Sequence, residues 1–200
     1  DAVNTESKRT TGKKNPRQIK AKTVINEYGL ITAVINTYAP ALDCTVKLPQ
    51  IEHNQHEIST PDVIYQIVKD TPIELPVLLA MWLSLTESEI LGLTKSKSIS
   101  SDGCYITIKE VIVKDEHNNA VVKNKGKQPT RDRTLRLPEY LKQLIDKVET
   151  DQLVTLSGTA LSKRFNRLIT KAGIPHMTFH DLRHVNASVM AVLRIPDKYA

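Results

Sequence analysis

Residues Pro76 to Leu85 read PVLLAMWLSL, ten positions of which only Ser84 is polar. Wound as a helix, this stretch is apolar on nearly every side, so no face of it suits water. It falls far short of the roughly 20 residues needed to cross a bilayer. The longest apolar run, Leu75 to Leu85, is also broken by Pro76 and Ser84. The stretch therefore predicts a central, buried helix that the rest of the chain must sheathe. With 200 residues, 40% of them hydrophobic, the chain can supply that sheath as one domain of about 150 residues plus an extra segment. Aromatic content is only 4%, so the core is expected to be aliphatic.

The sheath is legible on both sides of this helix. Thr60 and Pro61 form a plausible cap and first turn for a helix whose apolar face is Val63, Ile64, Ile67 and Val68. Thr86-Glu87-Ser88-Glu89 is a capping-box pattern opening a short helix through Leu91. Tyr105 to Val113 is rich in β-branched residues and reads as a strand, followed by a turn over Asp115 to Asn119 and a second strand from Ala120 to Val122. Lys123 to Arg131 is a basic loop, and Thr134 to Leu137 a third, short strand. Helices follow at Pro138–Val148 and Leu161–Lys171, the latter ended by Gly173. The expected class is mainly α with a small three-stranded antiparallel sheet (α+β).

Upstream, Ile19, Val24, Ile25, Leu30, Ile31, Val34, Ile35 and Tyr38 recur at helical spacing until Pro40. Residues 42–58, with Pro49 and scattered polar residues, read as a linker. Lys8, Arg9, Lys13, Lys14, Arg17, Lys20 and Lys22 follow one another without an intervening acid. Such a run is either a solvated arm or a phosphate-contacting surface. The net charge of +6 suits a polyanion partner without requiring one. Two distant cysteines, Cys44 and Cys104, offer neither a disulfide framework nor a zinc site. With no signal-peptide pattern either, the expectation is an intracellular, cytoplasmic protein with no membrane partner.

The chemistry concentrates in Thr178-Phe-His-Asp-Leu-Arg-His184. Thr178 and Asp181 form another capping pattern, so a helix should start near Phe179 and run to Pro196. At about 100° per residue, Leu182, Val185, Val189 and Leu193 share one side, while His180, Arg183, His184 and Ala187 gather on the other. Two imidazoles and a guanidinium beside a helix N-terminus repel one another unless an anion joins them, and a phosphate fits that description. The alternative is a solvent-facing basic face with no ligand. His180 and His184 also stand at i and i+4, but a zinc protease would place glutamate at position 181, where this chain has Asp181. No metal and no cofactor is expected.

The motif TFHDLRH, Thr178-Phe-His-Asp-Leu-Arg-His, preceded by Lys171-Ala-Gly-Ile174, resembles the signature of the tyrosine recombinases, the phage and transposon integrases. Ala80 to Leu93 (AMWLSLTESEILGL) is similar to their buried helix and the turn after it; Arg133-Thr-Leu-Arg-Leu-Pro138 resembles the strand leaving their β-hairpin loop; and Lys22 to Tyr38 resembles the last helix of their preceding DNA-gripping domain. The resemblance implies that residues 1–41 belong to a core-binding domain, that 42–58 link, and that 59–200 form a partial catalytic domain. It implies double-stranded DNA as substrate, cleaved through a phosphotyrosine without metal or ATP, and a tetramer on DNA when the protein is full length. Arg183 would then be a clamp on the reacting phosphate, His180 the acid/base histidine, and His184 a further member of the motif. Lys127 would be the loop lysine that protonates the leaving 5′-oxygen, with Lys125 as the alternative. Lys13, Lys14, Arg17, Lys20, Lys22, Lys125 and Arg131 would contact the DNA backbone.

The pattern breaks twice. Where the family places its first arginine, this chain has Thr86, which cannot supply a charged bidentate clamp. Losing one should cost on the order of a thousandfold in rate. Arg131 or Arg164 would have to replace it, or the chain is catalytically weak. The family's nucleophilic tyrosine also lies well downstream of the motif; Tyr199 is too close to Arg183 and reads as a packing residue. The expectation is a recombinase lacking its C-terminal nucleophile segment, and this chain is expected to be inactive by itself. The alternative is a regulator that kept the fold and the DNA binding and lost the chemistry.

Overall fold

The computed structural model describes residues 19–51, 58–124 and 133–195. Lys13, Lys14, Arg17, Lys125, Lys127, Arg131 and Tyr199 fall outside the described residues, so their expected roles are not placed. The chain divides into two compact units, 1–56 and 57–200.

The first unit carries α1, Ala21–Tyr38. Among the described residues a long-range tie in the unit is made by Tyr28, whose hydroxyl donates to the Cys44 carbonyl at 2.7 Å. No residue of α1 is buried, and Leu30, Ile31, Val34 and Tyr38 are largely exposed. Lys20 stands at the N-cap of α1 with no side-chain capping bond, and both Lys20 and Lys22 face solvent.

The second unit is built around the all-apolar stretch, as its composition requires. The helix, α3, spans Glu74–Leu83, two residues earlier than Pro76 to Leu85 suggests. Eight of its residues, Glu74 to Met81, are buried. Before it, α2 (Pro61–Val68) buries Ile64 and Val68. Thr60 occupies the N-cap of α2 but makes no side-chain capping bond; Pro61 alone marks the start. After it come α4 (Glu87–Leu91) and α5 (Lys95–Ser98), the second a one-turn helix that the sequence pattern did not announce. Next, α6 (Glu139–Asp146) buries Leu141 and Ile145, and α7 (Gly158–Lys171) buries Leu161, Phe165 and Ile169. α7 stops at Ala172, and Gly173 takes the left-handed conformation (φ +68°) that a glycine adopts at little cost. Last, α8 spans Asp181–Val192. Among the described residues no helix is long and apolar enough to cross a membrane.

The three-stranded sheet is corrected to two two-stranded ones. The long strand over residues 105–113 breaks at Lys109 into β1 (Tyr105–Ile108) and β2 (Glu110–Lys114). β1 pairs antiparallel with β4 (Arg133–Arg136), Ile108 opposite Arg133; β2 pairs with β3 (Ala120–Asn124), Val113 opposite Val121. The physical reason is burial. Ile106 and Ile108 are fully buried and must stay with the core, whereas β2 is only half-covered and follows its hairpin partner over α4. Local propensity sees one β-branched run and cannot see that its two halves serve different partners.

The apolar side of α8 is also shorter than its spacing implies. Leu182 and Val185 are buried, but Val189 and Leu193 are exposed. Among the described residues, nothing covers the last two turns of that seam.

Candidate functional site

The end of α3 sets up the site. Ser84 takes a left-handed conformation (φ 53°, ψ 36°), which turns the chain sharply and delivers Leu85 and Thr86 to the start of α4. Thr86 is the N-cap of α4 in a complete capping box. Its Oγ1 accepts from the Glu89 backbone N–H at 3.3 Å, and its own N–H donates to Glu89 Oε2 at 2.8 Å. Threonine and glutamate here reciprocally satisfy two orphan donors of the helix start. Thr86 is thus fixed and short, occupied with its own helix.

The start of α8 supplies the other wall. Thr178 donates both its backbone N–H (2.7 Å) and its hydroxyl (2.8 Å) to the Asp181 carboxylate. The pattern that suggested a start near Phe179 is therefore real, but it closes the turn before the helix. His180 is the N-cap and α8 begins at Asp181. His180 is exposed, and its ring meets that of His184 edge-on, with centroids 5.4 Å apart.

These two walls enclose one pocket of about 200 Å³, lined by Thr86, Glu87, Ser162, Thr178, His180 and Arg183 among others. The structure thus brings together three positions that the motif reading treats as functional: His180, Arg183 and Thr86. His184 stands one turn further along α8, exposed, and does not line the pocket. Arg183 is half-buried, and among the described residues no carboxylate lies within ion-pair distance of it. A half-buried guanidinium without an acid is arranged to meet an anion from solution. No group of three or more His, Cys, Asp or Glu side chains that could hold a metal stands among the described residues.

Sequence reasoning missed Glu87 and Ser162. Ser162, on α7, donates its hydroxyl to Glu87 Oε2 at 2.7 Å. Glu87 also presses on the first residue of α7: a Cβ on Gly158 would stand 2.1 Å from Glu87 Oε1. Position 158 must therefore be bare for this carboxylate to sit at the positive end of α7. That placement holds the acid's charge against a helix terminus. Nothing in the spacing of residues 87, 158 and 162 could have announced it.

Arg164, a candidate for the missing first arginine, lies about 200° around α7 from Ser162, on the exposed side of the helix. It does not line the pocket. The arginine that does reach this corner is Arg133 on β4. Its Nη2 donates to the carbonyls of Leu83 (3.4 Å) and Ser84 (3.3 Å) and sits 3.9 Å from Glu89 Oε2.

No family model matches the sequence, and no curated protein is similar to it in sequence. Solved structures are similar in fold. The Tn1549 transposon integrase, in complex with transposon right end DNA, superposes with a TM-score of 0.73 at 16% identity, over 90% of this chain and 70% of that one. Lambda integrase bound to DNA superposes with a TM-score of 0.56 at 15% identity, over 90% of this chain and 68% of the other. The same integrase as a tetramer on a Holliday junction gives 0.55 at 16%, over 92% and 64%. XerA recombinase gives 0.50 at 16%, over 88% and 63%. With its central apolar helix, its two-stranded sheets and its paired motif helix, the chain has the fold of these tyrosine recombinases.

Proposed function

We propose that this chain is part of a site-specific DNA recombinase that grips a scissile phosphodiester in the pocket between α4 and α8. The observation that carries the proposal is Arg183, with no carboxylate partner among the described residues, sharing one small pocket with His180 and Thr86. Structures of similar fold are DNA complexes of integrases, which supports double-stranded DNA as the ligand. The exposed face of α7 adds support: Lys163, Arg164, Arg167 and Lys171 point outward, and none has a carboxylate partner among the described residues. Such a stripe suits a phosphate backbone.

In this reading a tyrosine oxygen, supplied from outside the residues matched here, bonds to phosphorus as the bond to the 5′-oxygen breaks. The tyrosine loses its proton and the 5′-oxygen gains one, from Lys127 or Lys125 of the hairpin loop. Arg183 stabilises the extra charge on the pentacoordinate phosphorus, and His180 holds or moves a proton at a non-bridging oxygen. Lys13, Lys14, Arg17, Lys20, Lys22 and Arg131 contact the backbone. Residues 1–41 would belong to a core-binding domain and 59–200 to the catalytic one, and full-length protein would act as a tetramer in integration or excision.

Thr86 favours a second reading, a recombinase-fold DNA-binding protein without strand cleavage, because its hydroxyl and N–H are committed to the α4 cap. The experiment that tests both is a duplex-DNA titration over a range of salt. Arg183→Ala should weaken binding about tenfold or more, as expected for a charged hydrogen bond to phosphate, with the fold intact by circular dichroism. Log affinity should fall steeply with log salt. A flat salt response, or an Arg183→Ala variant that unfolds, removes the proposal. Covalent trapping on nicked DNA by the full-length protein separates the two readings: adduct formation supports the recombinase and excludes the regulator.

A further inference from the structure

The last turn of α3 is held by two side chains from distant elements. A helix leaves its final four carbonyls without intrahelical partners, here Ala80, Met81, Trp82 and Leu83. Asn186 of α8 donates its Nδ2 to Met81 O at 2.9 Å and to Trp82 O at 3.0 Å. Arg133 of β4 donates to Leu83 O, and to Ser84 O just beyond. Three of the four orphan carbonyls are therefore taken by two residues more than 45 positions away along the chain.

Asn186 follows Arg183 by three residues on the same helix. At about 100° per residue it lies roughly 60° from Arg183, on the flank between the buried Leu182–Val185 seam and the pocket face. The apolar seam alone leaves α8 free to slide or roll by fractions of a turn, because dispersion contacts are non-directional. Two well-formed hydrogen bonds from one amide to consecutive carbonyls are directional and remove that freedom. They set the height and roll of α8 against the helix end that leads directly into Leu85 and Thr86.

The geometry points to Asn186 as a positioning residue: by clasping the end of α3 it aims Arg183 into the pocket opposite Thr86. Arg133 closes the clasp from the β4 side. The inference rests on the phosphate-binding reading of that pocket for its consequence, but not for its geometry. It also accounts for how a chain with threonine at position 86 keeps Arg183 aligned. Among the described residues Arg183 is the one guanidinium lining that pocket, so the angle of α8 decides where it points.

The test compares Asn186→Leu, which removes the donor at similar size, with Asn186→Gln, which keeps an amide, in the complete 200-residue chain. Residual dipolar couplings report the orientation of α8 relative to α3, and orthovanadate serves as the phosphate-like probe. Asn186→Leu should shift α8 by about 1 Å, enough to misplace a catalytic group. Its vanadate affinity should fall about tenfold, the loss of one charge-assisted hydrogen bond. Asn186→Gln should recover both. An Asn186→Leu variant that merely melts earlier, with α8 aligned and vanadate bound as before, makes Asn186 a structural tie and overturns the inference. If the unmodified chain binds no vanadate, the phosphate reading fails. The clasp is then decided by orientation alone: an unmoved α8 overturns it and a moved one supports it. If Asn186→Leu does not fold, Asn186→Ser, with a shorter donor, is measured in its place against the same outcomes.

Discussion

Helices α1 and α3 are both written in aliphatic residues, yet they end in opposite environments. α3 buries eight of its ten residues, while α1 buries none of its eighteen. Their ends differ as well. At its N-terminal end α3 carries Glu74, 5% exposed, whose carboxylate accepts from the Asp70 N–H (2.8 Å) and the Tyr140 hydroxyl (2.6 Å). At its C-terminal end it is clasped by Asn186 and Arg133. α1 has no side-chain cap at Lys20. Apolar content states that an element wants cover; it is the pairing of its ends and faces with distant residues that decides whether the cover is there.

That contrast can be broken experimentally, and the largest effect is expected at the centre of α3. Leu78 is fully buried, so Leu78→Ala should cost about 3 kcal/mol or more by urea unfolding, through lost transfer energy and a residual cavity. A cost below about 1 kcal/mol would mean that the α3 surroundings collapse easily and are not a packed sheath. Glu74→Ala comes next. It leaves the Asp70 N–H and the Tyr140 hydroxyl without their acceptor, and a loss of about 2 kcal/mol is expected in the same assay.

The same network makes a pH prediction. The hydrogen bond to Glu74, followed by the 3.2 Å contact with the Tyr65 hydroxyl, raises the Tyr140 phenol well above its ordinary value of 10.0. Its folded form therefore keeps the proton at pH values where the unfolded chain has lost it. The stability is present in full below about pH 10 and declines as pH rises above it toward the raised folded value. Tyr140→Phe should flatten that alkaline decline, measured as melting temperature against pH. An unchanged slope would show that Tyr140 is not the group responsible. The smallest effect is expected in α1, where Ile31 is 56% exposed. Ile31→Ala should change stability by less than about 0.5 kcal/mol, and a loss rivalling that of Leu78→Ala would abolish the contrast between the two helices.

Where interactions are local, the residues announced them. The existence of a buried helix at Glu74–Leu83, the Thr86/Glu89 capping box, the Thr178/Asp181 pairing and the stop before Gly173 all depend on neighbours within about one turn, which spacing encodes directly. The polar side of α8 was legible for the same reason, since His180 and Arg183 lie three residues apart. Misreadings arose where a segment serves partners that sequence distance hides. Residues 105–113 look like one strand because their propensity is uniform, but β1 and β2 diverge at Lys109 to pair with β4 and β3. Val189 and Leu193 look like core because they continue the Leu182–Val185 row, but among the described residues the cover ends before them. Arg164 was a reasonable substitute for a clamp by charge alone, and its position on the outer side of α7 rules it out of the pocket.

By itself the sequence determined that a helix must be buried at the centre, that further helices surround it, and that a basic motif crowns the last of them. These follow from backbone periodicity and capping, whose reach is a few residues. Only the tertiary structure decided that Thr86, Ser162 and Arg183 share a pocket, that Glu87 rests on Gly158, and that Asn186 and Arg133 close the end of α3. Each of these joins residues from elements far apart in the chain. Such contacts are fixed by how packed helices exclude water and satisfy their last carbonyls, and neither condition can be read until the elements meet.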